Sequence, residues 1–334
     1  MAKMDDLISL IGRYRDLGID SQIDYEKFYL YSIITHSTAI EGSTVTELEN
    51  QILFDEGITA KGKTLSEQMM NLDLKAAYEE SIRMANEHLA IDVDFLKSLA
   101  HLVMKNTGSA YKTAMGDFSS ADGDLRLVNV TAGVGGRSYL SYTKVPAELE
   151  KFCDWLNTAR TKEMSIAERY NLSFDAHYRL VTIHPWADGN GRMARLLMNH
   201  IQFEFGLIPS KVLKEDKEEY INALITTRDR DDITIFRDFM TSEMIKTISH
   251  DITNYIKSIN GSREKGREKT GKSREKILAL LRESPRMTTW QLADQIGISA
   301  KAVEKHLARL KAEGHLRRDG GDRGGVWVVE MKED

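Results

Sequence analysis

HPWADGNGRMAR, residues 184–195, sets a histidine, a carboxylate, an asparagine between glycines and a pair of arginines in one short run. Pro185 fixes φ and suits a loop rather than a helix interior. Gly189 and Gly191 let the backbone turn and approach a ligand closely. MARLLMNHI, which follows, is rich in helix formers. The stretch therefore predicts a loop, a glycine turn and a helix N-terminus. Such a terminus presents N–H groups without intrahelical partners and the positive end of the helix dipole, so it receives anions. Arg192 and Arg195 stand three apart at that end, on one helical face. Cations there oppose the dipole, and they make sense beside a polyphosphate. Asp188 is placed to hold Mg²⁺, which takes one or two carboxylates together with phosphate oxygens. His184 is left to act as general base on an incoming hydroxyl.

The rest of the chain sets the frame for that chemistry. Its 334 residues, 41% hydrophobic and 29% charged, have an ordinary globular composition with room for two or three domains. Only four prolines, with abundant Leu, Met, Ala, Glu and Lys, point to a mainly helical fold. No apolar run approaches the ~20 residues of a membrane span, so no membrane partner is expected. MAKMDDLISLIGRYRDL reads as an amphipathic helix rather than a signal peptide. Cys153 is the single cysteine and cannot form an intrachain disulfide, which is compatible with the cytoplasm, the expected location. Net charge is −5, but from Gly261 to Asp334 there are 17 basic and 12 acidic side chains, a net of +5. A basic tail on an acidic body suggests separate partners for the two.

Residues 5–90 read as helices, with Thr44–Glu47 as a capping box ahead of Val45, Leu48 and Ile52. LRLVNVT (125–131) and RSYLSYT (137–143), separated by the Gly-rich AGVGG, predict a β-hairpin. Helices resume at Val145, run up to the motif, and continue over 216–229 and 233–258. GSREKGREKTGKSREK (261–276) reads as a solvated linker or polar helix, and the linker is drawn at 257–272. Gly266–Ser273 spells a phosphate-binding P-loop, but no strand precedes it, so the match is read as chance. Residues 273–334 give helix, helix, a GIS turn, helix and a Gly-rich hairpin, the order of a winged helix-turn-helix. Lys301, Lys305 and Arg309 are expected to face out, with Arg317, Arg318 and Arg323 in or beside the wing. Such groups bind phosphates, which makes DNA a candidate partner.

HPWADGNGRMAR resembles the Fic motif H-x-F-x-[DE]-G-N-G-R-x-x-R of AMP-transferring enzymes, with Trp186 where the family usually has Phe. The resemblance covers roughly residues 30–255. It implies a Fic-type helical core at 96–256 with the 125–143 hairpin as a flap that aligns a target segment by strand addition. It also implies transfer of AMP from ATP to a Ser, Thr or Tyr hydroxyl of a protein, this chain itself included. His184 would take the hydroxyl proton, and Asp188 would hold Mg²⁺. Gly189, Asn190 and Gly191 would cradle the α- and β-phosphates. Arg192 would stabilise the leaving pyrophosphate, Arg195 would grip the γ-phosphate, and Tyr220 would stand on the adenine side. Ser37-Thr-Ala-Ile-Glu41-Gly42 resembles the family's inhibitory pattern [ST]-x-x-x-E-[GN], within an N-terminal helical region at 1–95. There Glu41 would occupy Arg195, because one guanidinium fork cannot serve a carboxylate and a phosphate together. A homodimer is expected by analogy. Two other uses of the site stay open: a DNA-binding regulator that senses nucleotide, and removal of AMP with Glu41 positioning water.

Overall fold

The computed structural model describes residues 2–132, 136–320 and 325–330, with side chains for all of these except Ala2 and 260–271. The chain divides into two compact units, Met1–Ile252 and Thr253–Asp334.

In the first unit the elements are α1 (Ala2–Asp16), α2 (Tyr25–Ile40), α3 (Glu47–Glu56), α4 (Leu65–Asn86) and α5 (Val93–Met104), then the strands β1 (Ala110–Thr113) and β2 (Gly116–Ser119). After these come α6 (Val145–Arg160), α7 (Ile166–Ile183), α8 (Asn190–Glu204) and α9 (Lys217–Arg230), and α10 (Thr234–Glu283) begins. Helix α8 is the axis of the unit. Every residue from Arg192 to Gln202 is buried, and α4, α5 and α7 pack against it. A helix covered on all sides must find partners for each polar side chain it carries. Asn199 donates to Ser210 O at 2.8 Å and accepts from Tyr78 OH at 2.7 Å. Gln202 donates to Ser173 Oγ at 2.9 Å and Ser210 Oγ at 2.8 Å. These bonds fix the rotation of α8 and hence where its first turn points.

The carboxyl end of α2 is fixed in a similar way. Thr38 Oγ1 and Asn50 Nδ2 both donate to Asn71 Oδ1, at 2.7 and 2.8 Å. Asn71 Nδ2 donates to Ser43 Oγ at 3.1 Å and to Glu67 O at 2.8 Å. One buried amide therefore joins α2, α3 and α4 just beside Ser37 and Glu41.

Two sequence expectations change here. The capping box lies at Thr46 and Glu49 rather than Thr44 and Glu47. Thr44 is engaged elsewhere: its N–H and hydroxyl both donate to Glu67 Oε1. The hairpin of this unit is β1–β2, with Ala110 opposite Ser119 and Thr113 opposite Gly116. Among the described residues, 125–141 are instead a loop with an isolated Thr131–Ser138 bridge, followed by a short 3-10 helix at Tyr142–Lys144; the AGVGG positions 133–135 lie outside the described residues. Here the carbonyls of Val128 and Leu140 accept from the Arg126 guanidinium. Through 257–272 the backbone is helical, inside α10, the polar-helix alternative of the sequence reading. Gly266–Ser273 thus lies within a helix, without the strand and loop a P-loop needs.

In the second unit, the end of α10 packs with α11 (Thr289–Ile296), α12 (Ala300–Ala312) and the antiparallel strands β3 (Leu316–Asp319) and β4 (Val326–Val329). Ile277, Leu281, Leu292, Val303, Leu307, Leu310, Leu316 and Trp327 form the core. Gly297, at φ 75°, makes the turn between α11 and α12. Lys301, Lys305 and Arg309 are exposed on α12, while Arg323 lies outside the described residues. No helix among the described residues is long and apolar enough to cross a membrane.

Asn71→Ala is expected to destabilise the protein by about 1–3 kcal/mol, the cost of leaving buried partners unsatisfied. Urea unfolding followed by far-ultraviolet circular dichroism measures it, and an unchanged midpoint would refute the structural role.

Candidate active site

The motif runs from the end of α7 into the first turn of α8. His184 closes α7 in the left-handed region, φ 54°, with its N–H donating to Leu180 O at 3.0 Å. Its Nδ1 lies 3.2 Å from Val181 O. A carbonyl only accepts, so Nδ1 carries the hydrogen and Nε2 keeps a free lone pair. Burial, assisted by the nearby Arg126 charge, pushes the imidazole down to about 4, so it is neutral at pH 7. The Tyr139 ring stacks on it, with centroids 3.7 Å apart and planes 16° from parallel.

Trp186 anchors the loop. It is 1% exposed and its indole N–H donates to Gly123 O at 3.1 Å. Asn190 closes the turn, accepting from Trp186 N at 3.1 Å and donating to Trp186 O at 2.8 Å. Asn190 thus braces the loop. Gly189 is the N-cap of α8 at φ 81° and supplies no side-chain cap. A Cβ there would sit 2.7 Å from Met104 Sδ, so the turn requires glycine in conformation and in space. A Cβ on Gly191 would meet Glu41 Oε1 at 2.5 Å. The bare turn therefore lets the Glu41 carboxylate reach the helix end.

Both motif arginines are 3% exposed, but their partners differ. Arg195 Nε donates to Ser37 Oγ at 2.8 Å, while its Nη2 donates to Ser37 O at 3.0 Å and Glu41 Oε1 at 2.6 Å. Burial opposes the Glu41 charge, yet the Arg195 guanidinium outweighs it and holds the carboxyl below its ordinary range. Arg192 is less well served. Nη1 donates to Val103 O at 3.3 Å, Nη2 to Met104 Sδ at 3.0 Å, and Asp188 stands 3.8 Å away. Its Nε is buried without a hydrogen-bond partner. A buried guanidinium with an unmatched N–H calls for an anion.

Asp188 accepts from Gly189 N at 2.6 Å and its side chain is otherwise exposed. Among the described residues no group of three or more His, Cys, Asp or Glu side chains is arranged to hold a metal. One exposed carboxylate beside an anion-receiving helix end fits a cation carried in on phosphate, the usual habit of Mg²⁺, rather than a protein cage.

Tyr220 departs from expectation. It is 1% exposed and backs Arg195, with its hydroxyl 3.4 Å from Nη1 and 2.8 Å from His177 Nε2. That hydroxyl accepts from Arg195, and burial pushes the His177 imidazole down to about 3 and keeps it neutral. The open face nearby belongs to the next residues of α9. Ile221 and Leu224, with Tyr139, Leu140, Tyr178 and Val181, line a cavity of about 290 Å³.

Sequence reading missed Arg126, Tyr139 and His177. Arg126 left one trace, a lone charge in the apolar alternation LRLVNV. Tyr139 and His177 left none, since an aromatic in a strand-like run or a histidine in a helix is ordinary.

These features define a helical domain that offers an anion-receiving helix end, a neutral imidazole and buried guanidinium groups under a loop. Residues 90–202 match the family model described as the Fic/DOC family, and 272–316 match one described as winged helix-turn-helix DNA-binding. The chain carries a Fic domain followed by a winged helix-turn-helix domain. It is 29% identical over 201 residues to the protein adenylyltransferase fic-1 of Caenorhabditis elegans, covering 60% of this chain and 36% of that protein. It is 27% identical over 194 residues to the protein adenylyltransferase Fic of Drosophila willistoni, covering 57% and 35%. The chain thus spans about a third of the length of these relatives. A Fic-domain-containing signalling protein of Bacteroides thetaiotaomicron shares the fold at a TM-score of 0.63 and 22% identity, over 75% of this chain and 96% of that one. A Fic family protein of Desulfovibrio desulfuricans aligns over 100% of this chain and 98% of that one, at a TM-score of 0.59 and 18% identity.

Gly189→Ala is expected to lower stability by about 1 kcal/mol or more, because alanine resists the left-handed region and Met104 must yield. Thermal unfolding measures it, and a variant as stable as the parent would remove the constraint claimed for the turn.

Proposed function

We propose that this protein is a protein adenylyltransferase restrained by Glu41, which moves AMP from ATP to a Ser, Thr or Tyr hydroxyl of a protein. The observation that carries the reading is the unequal satisfaction of two buried guanidiniums. Arg195 is filled by Ser37 and Glu41, while Arg192 keeps an unmatched Nε beside an uncapped helix end. A triphosphate supplies what both lack once Glu41 withdraws. Its α- and β-phosphates meet the N–H groups of the Gly189–Arg192 turn, its γ-phosphate takes the Arg195 fork, and its base enters the apolar recess under Tyr139 and Leu140. Mg²⁺ held by Asp188 would offset phosphate charge. His184 Nε2 takes the proton from the target hydroxyl, whose oxygen attacks the α-phosphorus as pyrophosphate leaves towards Arg192. The adenylyltransferase names of the relatives support the same reaction.

With labelled ATP and Mg²⁺, Glu41→Gly is expected to raise transfer to cell proteins or to the chain itself. Labelling equal to or below that of the unaltered protein would exclude the brake. In that released background, His184→Ala is expected to lower transfer by about 10²–10⁴-fold. Because the depressed imidazole is protonated only as pH falls through about 4, the rate limb due to His184 should appear there rather than near its ordinary 6.5. A limb centred near 6.5 in the pH–rate profile would contradict the buried, neutral base.

For the second domain we infer duplex DNA as the partner. The support is a family described as DNA-binding and exposed Lys301, Lys305 and Arg309 on α12, although Arg309 also pairs with Glu313 at 3.0 Å. Lys301→Ala with Lys305→Ala should reduce the slope of log affinity against log salt by about 1 per lysine. Equal slopes in a fluorescence-anisotropy titration would count against the inference.

A further inference from the structure

His184 holds a left-handed backbone conformation, φ 54°, which a residue with a Cβ keeps only where its surroundings impose it. Helix α7 reaches it through the Leu180 bond. The remaining grip comes from the loop between β2 and α6. Arg126 is 1% exposed and donates Nε to His184 O at 2.7 Å. Its backbone N–H donates to Pro185 O at 3.0 Å. The same guanidinium donates Nη1 to Val128 O at 2.8 Å and Nη2 to Leu140 O at 2.5 Å, one on each leg of the bridged loop. Tyr139, next to Leu140, donates its N–H to Val130 O at 3.0 Å and stacks its ring on the imidazole at 3.7 Å. One planar fork thus ties both legs of the loop to the carbonyl of the histidine, and one ring covers that histidine's face. A lysine ammonium, a point donor on a flexible stem, cannot reproduce the fork.

We propose that Arg126 and Tyr139 are positioning residues for the general base, so that the loop expected to receive a target strand is also the part that aims His184. This rests on the adenylyltransferase reading. The phosphate-receiving half of the site is anchored separately, through Asn190 to Trp186 and through Arg195 to Ser37. Loss of Arg126 therefore disturbs the base and leaves the phosphate-receiving groups in place, whereas loss of the Tyr139 ring also alters the recess that it lines.

The test combines the Glu41→Gly protein with Arg126→Lys, Tyr139→Leu or Tyr139→Phe. Tyr139→Phe keeps the ring and is the rescue; Tyr139→Leu guards against a misfolded Arg126→Lys. Two readouts are taken. One is AMP transfer against ATP concentration. Arg126→Lys is expected to lower kcat by about 10-fold or more with KM for ATP nearly unchanged; Tyr139→Leu is expected to lower kcat similarly and to raise KM as well, because Tyr139 lines the recess, whereas Tyr139→Phe stays within about twofold, since small misplacements of a reacting group cost rates of this order. The other needs no catalysis: the rate of diethyl pyrocarbonate modification of His184, mapped by mass spectrometry, should rise several-fold in Arg126→Lys and Tyr139→Leu and not in Tyr139→Phe. Unchanged His184 reactivity, or losses confined to KM, would overturn the positioning role. Changed reactivity in a protein that transfers no AMP would uphold the positioning role and overturn the adenylyltransferase reading instead.

Discussion

The contact between Arg195 and Glu41 constrains everything around it. A guanidinium 3% exposed cannot be left without acceptors, and this one takes its acceptors from the end of α2. The helix that carries Glu41 must therefore stop where it does, with Gly42 beyond it and Asn71 holding it from behind. The Arg195 side chain is buried while that of Glu41 is 33% exposed, and any other anion reaching Arg195 must offer the same fork geometry. A terminal phosphate meets that requirement.

Burial of α8 is the second constraint, and it turns a surface feature into a chemical one. A helix N-terminus open to solvent is satisfied by water. Here the first turn is followed at once by fully buried residues, so its arginines cannot swing out to solvent. Arg192 is held with Val103 and Met104 as poor partners and Asp188 at a distance. On the proposed reading a bound anion would balance the cost of that arrangement and tie the stability of the site to its occupancy.

Much of the helical architecture was legible in the sequence, because caps and apolar periodicity act over a few residues. Where reading failed, a distant residue had changed the use of a local signal. Thr44 looked like an N-cap until Glu67 took its hydroxyl, and the cap moved to Thr46. LRLVNVT alternates like a strand, yet Arg126 turns inward and its guanidinium donates to the carbonyls of Val128 and Leu140. Tyr220 sits where a helix could face a ligand, but packing places it behind Arg195 and leaves Ile221 and Leu224 on the recess.

What the sequence determined by itself was the motif chemistry: which groups are titratable, which backbone positions are bare, and that a helix follows the glycine turn. These depend on residue type and on spacing within a turn or two. The resemblance to an inhibitory pattern paired Glu41 with Arg195, 154 positions along the chain, and the structure brings them to 2.6 Å; only the tertiary structure decided that Arg126 and Tyr139 hold the imidazole. The reason is physical. A hydrogen bond's donor and acceptor are fixed by composition, but which pair meets depends on how helices bury one another, and no local pattern encodes that.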